Sequence, residues 1–321
     1  MIKKTLLILM SIGIAEQSLA DTYTFDKRKY INTWSSEPYS YVLQMRNKKG
    51  GAPFCTANMV AGKIVTAKHC IVNKSLNDIV FIDSSGRNLC ATSGKAGNYE
   101  KEQANTYSGD WAVLTPCSKD KEYVKKNSLS MFGDNIPVSA TIDRVYYLGF
   151  GALKIMSDEE IKKFKQAYYS FVYDHAKTKP KKDKKDYVAE ATADKKSGIK
   201  LNNSTGQLFI KNMKKYGVDP NIFKDTYNLK ASVCTTNDSP NKTNLLKNLK
   251  CQSWGGDSGG GLYMIGYAKD ISGRVSTTAT FTYFVGIHTR GSRQIGGIGH
   301  ANKNTGQDVT VSNFSEYLTS K

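Results

Sequence analysis

The residues best suited to chemistry lie in Trp254-Gly255-Gly256-Asp257-Ser258-Gly259-Gly260-Gly261, where one serine stands between glycines directly after an aspartate. The glycines permit backbone angles and close approaches that a Cβ forbids, so the hydroxyl of Ser258 can stand clear of its neighbours. The same bend leaves the N–H groups of Gly256 and Ser258 able to converge on one small space. Two such donors beside a nucleophile suit a developing oxyanion, and losing one typically costs about 100- to 1000-fold in rate. A serine among glycines is also an ordinary turn. A hydroxyl becomes a useful nucleophile only when a base takes its proton and another group orients that base.

The chain has four histidines: His69, His175, His288 and His300. His69 sits in Val65-Thr66-Ala67-Lys68-His69-Cys70, at the end of an apolar run. Further on, Ser108-Gly109-Asp110-Trp111-Ala112-Val113-Leu114 places a lone acid at the mouth of another apolar run. The order is His69, Asp110, Ser258. With these flanks it resembles the trypsin/chymotrypsin family of serine proteases, whose motifs read TAAHC, DIAL and GDSGG; here they read TAKHC, DWAVL and GDSGG. The resemblance implies a serine endopeptidase working through an acyl-enzyme. Ser258 would be its nucleophile, His69 its general base and then acid, and Asp110 the group that fixes the tautomer of His69. Gly256 and Ser258 would supply the oxyanion donors, and no metal or cofactor would be needed.

The elements that must position these residues read as strands. Tyr41-Val42-Leu43-Gln44-Met45, Lys63-Ile64-Val65-Thr66 and Asp78-Ile79-Val80-Phe81-Ile82 are short β-rich runs bounded by turn residues. A long hairpin is expected over about Leu262 to Val285. Val145-Tyr146-Tyr147-Leu148-Gly149-Phe150-Gly151 resembles the family strand ending in GWG, with Phe for Trp. The implied fold is all-β, two antiparallel six-stranded β-barrels at about 30–125 and 126–321, with the site in the cleft between them. Phe314, Tyr317 and Leu318 match the apolar face of a C-terminal helix. Between Asp110 and Ser258 the chain is longer than the family pattern, with the surplus at about 152–205. There Ser157-Asp158-Glu159-Glu160 is a capping box, and Ile161, Phe164, Tyr168, Phe171 and Val172 follow at helical spacing. Lys177 to Lys185 is too charged to pack and reads as a solvated loop at the tip of a helical, lysine-rich insertion, or as an arm for anionic partners.

Met1 to Ala20 reads as a secretory signal peptide: Lys3 and Lys4, a short apolar run, then Ser18-Leu19-Ala20 as cleavage site. No later stretch approaches the roughly 20 apolar residues of a membrane span. A secreted or periplasmic protein is expected, and a monomer. Export makes disulfides of an even cysteine count, and six cysteines allow 15 pairings. The resemblance favours Cys55–Cys70; sequence proximity adds Cys90–Cys117 and Cys234–Cys251. Residues 21–29 hold the basic run Lys27-Arg28-Lys29, a candidate processing site for a propeptide ahead of a peptidase domain at 30–321. In the family a new terminal amine pairs with the aspartate before the serine, here Asp257; a leader that is never cut is the alternative. The formal charge of +18 favours polyanions or acidic substrates, but it is spread along the chain and no nucleic-acid motif accompanies it.

Specificity is open. The position six before the nucleophile, an acid in enzymes that cleave after Lys or Arg, is Gln252, followed by Ser253. Ser253 and His288, with Thr289 beside it, resemble the pocket of glutamyl endopeptidases, where a hydroxyl and a histidine bind a carboxylate. Asp308 could reach the same pocket and would favour Lys or Arg instead. His288 could also simply pack against Asp308. Two rival functions remain: a catalytically silent binding protein on a protease fold, and a polyanion-binding protein acting through Lys177 to Lys185.

Overall fold

The computed structural model describes residues 28–36, 39–98, 109–130, 140–152, 154–177, 204–234, 256–269 and 275–288. The described chain divides into two compact units. One holds residues 28–154 and 223–288 with both sheets, and the other holds 155–222 with two helices.

The first sheet is built from β2 (Val42–Asn47), β3 (Cys55–Val60), β4 (Lys63–Thr66), β5 (Ile79–Ile82), β6 (Asn88–Leu89), β7 (Ala91–Ala96) and β8 (Ala112–Pro116). Its spatial order is β6-β5-β2-β3-β4-β8-β7. The runs read from sequence at 41–45, 63–66 and 78–82 are β2, β4 and β5. Their apolar side chains, among them Leu43, Met45, Val65 and Phe81, are buried in a common core. A short helix α1 (Lys121–Lys126) follows β8 and buries Val124.

The second sheet comprises β1 (Lys29–Tyr30), β9 (Ala140–Gly149), β10 (Lys230–Cys234), β11 (Gly261–Lys269) and β12 (Val275–Ile287), in the order β1-β10-β9-β11-β12. The expected hairpin is β11 and β12, paired from Gly261↔Ile287 outward. The fold is thus all-β with two antiparallel sheets, as the sequence implied; they carry seven and five strands among the described residues.

The other unit is made of α2 (Asp158–Lys177) and α3 (Ser204–Lys215). The capping box at the start of α2 is reciprocal: Ser157 N–H donates to Glu160 Oε2 at 2.9 Å, and Glu160 N–H donates to Ser157 Oγ at 3.3 Å. Ile161, Phe164, Ala167, Tyr168 and Phe171 form its buried face. Phe209 of α3 packs edge-on or tilted against Phe164, Tyr168 and Phe171, with centroids 5.3–6.2 Å apart. Helix α3 is an addition to the sequence reading, and the helical unit runs to residue 222. The solvated loop expected at Lys177 to Lys185, beyond Lys177 itself, the Cys234–Cys251 pairing and the C-terminal helix lie outside the described residues or depend on residues that do. Among the described residues no helix is long and apolar enough to cross a membrane.

Candidate active site

Antiparallel pairing of β4 with β8 aligns Thr66 with Ala112 and Val65 with Val113. The residues just after β4 and just before β8 therefore leave the sheet side by side. His69 is in the turn Lys68–Cys70 after β4, and Asp110 directly precedes the run into β8. Asp110 is buried and uses both carboxylate oxygens on one residue. Its Oδ2 lies 2.7 Å from His69 Nδ1, and its Oδ1 accepts from the His69 backbone N–H at 2.9 Å. This double contact fixes the ring and favours the tautomer protonated on Nδ1, leaving the Nε2 lone pair for another proton. The His69 turn is braced on two sides. The Cys55–Cys70 disulfide ties it to the start of β3, and Lys68 Nζ donates to Gly97 O at 2.7 Å.

Ser258 is brought to this turn by the first sheet. Thr56 in β3 donates its N–H to Ser258 O at 2.8 Å, and its hydroxyl donates to Gly256 O at 3.2 Å while accepting from Phe150 N–H. Thr66 Oγ1 donates to Thr56 O at 2.7 Å, holding the clamp to β4. The Ser258 carbonyl oxygen is 3.6 Å from Cys70 Sγ, the residue beside His69. Gly256 and Gly259 have φ of +98° and +80°, so the turn on both sides of Ser258 needs glycine. A Cβ on Gly259 would also lie 2.2 Å from Thr56 O.

The other side of the turn is held by the second sheet. Gly259 N–H donates to His288 O at 2.6 Å, and His288 N–H donates to Gly260 O at 2.7 Å. Asn58 Nδ2 donates to Gly259 O at 2.8 Å and is itself oriented by the Tyr263 hydroxyl. Gly260 N–H and the Tyr147 hydroxyl both donate to Asp257 O. Asp257 is 1% exposed, beside a Tyr147 hydroxyl whose pKa is pushed well above the phenol range by burial and by the Asp257 charge.

His288 is 6% exposed, and its ring centroid is 5.1 Å from that of Tyr147. Burial first, and the charge of His69 second, lower its pKa to about 3. It is a neutral imidazole at ordinary pH. Of the other expected pocket residues, Gln252, Ser253, Thr289 and Asp308 lie outside the described residues. Cys90–Cys117 is present, since β7 pairs with β8 and sets the residues before one and after the other together. Among the described residues the one cluster of metal-ligating types is Cys55, His69 and Cys70. It does not fit a metal, because its two sulfurs are bonded to each other.

Thr56, Asn58, Thr66 and Tyr147 were not singled out from sequence. Thr56 and Asn58 lie in Cys55-Thr56-Ala57-Asn58-Met59-Val60, a strand whose six residues are all buried, so no polar–apolar alternation marks them.

No protein-family model and no curated protein matches the sequence. Solved structures with a similar course of chain include a Glu endopeptidase in complex with MPD, at 14% identity over 92% of this chain and 99% of that one, with a TM-score of 0.41. The protease Anisep from Arthrobacter nicotinovorans matches at 13% identity over 86% and 91%, with a TM-score of 0.38. A scabies mite inactivated protease paralogue, S-D1, matches at 11% identity over 88% and 93%, with a TM-score of 0.42. At these identities and scores the matches carry no argument about the chemistry of this chain; the residues of the site must carry it.

Proposed function

We propose that the protein is an exported serine endopeptidase of the trypsin-like kind, in which His69, Asp110 and Ser258 hydrolyse peptide bonds through an acyl-enzyme. The observation that carries this reading is the double contact of buried Asp110 with His69, 2.7 Å to Nδ1 and 2.9 Å to the backbone N–H. A carboxylate buried for structure alone has no need to fix one imidazole nitrogen and spare the other. In the proposed cycle His69 Nε2 takes the Ser258 proton as Oγ attacks the carbonyl carbon. The resulting imidazolium is stabilised by Asp110 and then protonates the leaving amine. Gly256 and Ser258 N–H groups receive the oxyanion. Water, deprotonated by His69, then releases the acid product. A silent binding protein would need neither the glycine-only turn nor the oriented imidazole. The two disulfides, together with the signal-like residues 1–20, support export.

Ser258→Ala should abolish hydrolysis of casein and of small peptide amides while leaving the fold intact. Hydrolysis that survives in this variant would refute the proposal.

For the residue before the scissile bond we favour Glu. His288, neutral and desolvated, can donate one N–H to a carboxylate, although its burial also fits a packed histidine. His288→Ala should lower kcat/KM on Glu peptides by roughly 10-fold, consistent with one hydrogen bond. Cleavage after Lys that is lost in Asp308→Asn would instead assign the pocket to Asp308.

A further inference from the structure

The carboxylate of Asp257 poses an electrostatic problem next to the nucleophile. It is 1% exposed, and a buried carboxylate is strongly unfavourable unless charge and hydrogen bonds match it. Its seat is glycine backbone: a Cβ on Gly149 would lie 2.6 Å from Oδ1, and one on Gly151 would lie 2.5 Å from Oδ2. Lys230 of β10 stands opposite Gly149 in the sheet register. Its side chain is 2% exposed, and Nζ donates to Gly151 O at 2.7 Å. The ammonium and the Asp257 carboxylate therefore meet the same glycine. Nζ also donates to Asp225 O at 2.6 Å and Asn228 O at 3.2 Å, and lies 3.2 Å from Asp225 Oδ2.

A second cation enters the same region. Arg28 is 4% exposed and donates from Nη2 to Lys154 O at 3.2 Å. Its charge acts on both the Tyr147 hydroxyl and Lys230, as does that of Asp257. Burial lowers the pKa of Lys230, and the charges of Asp225, 3.2 Å away, and of Asp257 work against that loss. Arg28 arrives with the sheet: the next residues form β1, with Lys29↔Ala231 and Tyr30↔Lys230 paired, and Ile31 N–H donates to Leu229 O at 2.9 Å. A cut before Lys29 or Tyr30 would part Arg28 from the strand that carries it in.

Resting on the serine-peptidase reading above, we propose that Lys230, together with Arg28, is the internal counter-charge of Asp257, and that it holds the Ser258 turn in working shape in the uncut chain. Lys230 is then a positioning residue acting through Asp257. A newly made terminal amine is unnecessary, and the protein is active once its export signal is gone.

The test uses the exported protein as recovered. Its amino terminus is sequenced, and the rate of labelling by a fluorophosphonate and kcat on a peptide amide are measured. Material beginning at Asp21 is expected to label and turn over fully. Lys230→Met should slow both by at least 10-fold, and in an Asp257→Asn background the same change should add less than about 2-fold, because both variants break one interaction. A lysine that only staples residues 225–228 to Gly151 would cost the same in both backgrounds, and that result would overturn the proposal. So would labelling confined to material beginning at Lys29 or Tyr30, a result that stands even if Lys230→Met fails to fold. Labelling in no form of the folded protein would instead sink the assignment of Ser258 as nucleophile.

Discussion

Replacing Asp110 by Asn changes one atom and almost no volume, and the structure dictates its consequence. Asp110 Oδ1 accepts the His69 backbone N–H at 2.9 Å, a donor that cannot be turned away. The asparagine must therefore keep its carbonyl oxygen on that N–H and present its amide nitrogen, a donor, to Nδ1, 2.7 Å away in the native protein. Nδ1 is forced to accept, the ring proton moves to Nε2, and the lone pair needed by Ser258 is gone. The negative charge that stabilises imidazolium is lost as well. Together these should lower kcat by about 1000- to 10,000-fold, equivalent to about 4–5.5 kcal/mol. The assay is kcat and KM on a peptide amide at neutral pH, with the Nδ1 proton followed by low-field NMR. The native protein should show a strongly deshielded proton that the variant lacks. An Asp110→Asn protein within 10-fold of the native kcat would refute this account of His69.

Other consequences follow from the same geometry. Thr56→Val keeps the shape but strips the Gly256 O and Phe150 N–H of their hydroxyl partner, so it should lower unfolding free energy by about 1–3 kcal/mol per group left buried and unsatisfied, read from denaturant midpoints. Replacing Cys55 and Cys70 together by Ser opens a loop of 15 residues and should cost about 3 kcal/mol by the same measurement. His288 has a folded pKa of about 3 against an ordinary value of 6.5, so between these values the unfolded chain binds the extra proton. Its contribution to stability is whole above pH 6.5 and is lost as pH falls toward 3. Native protein should therefore lose about 2–3 kcal/mol more than His288→Gln between pH 7 and 4.5, and equal slopes for the two proteins would contradict the burial of a neutral ring.

How much of this was legible in the sequence depends on what kind of signal each residue leaves. His69, Asp110 and Ser258 stand out because each breaks a local pattern: a histidine and an acid at the ends of apolar runs, a hydroxyl among glycines. That the first two would meet also follows from strand pairing, since β4 and β8 must be antiparallel neighbours for their flanks to touch. Cys90 and Cys117 are close for the same reason. Thr56 and Asn58 leave no such signal. They lie in β3, whose six residues are all buried, so no alternation marks them as special. Lys230 looks like any strand lysine until the register sets it against Gly149. Helix α3 was legible in principle: Phe209 and Met213, four apart, are buried among its described residues. The charged stretch before it has no apolar periodicity to announce it.

The central claim is that Ser258 is a nucleophile activated by an imidazole that Asp110 holds. Labelling the folded, oxidised protein with a fluorophosphonate and mapping the adduct by mass tests it most directly. The account predicts one label per chain, on Ser258, that disappears in His69→Ala. Absence of a label on folded protein, a label on another serine, or a label indifferent to His69 would contradict it.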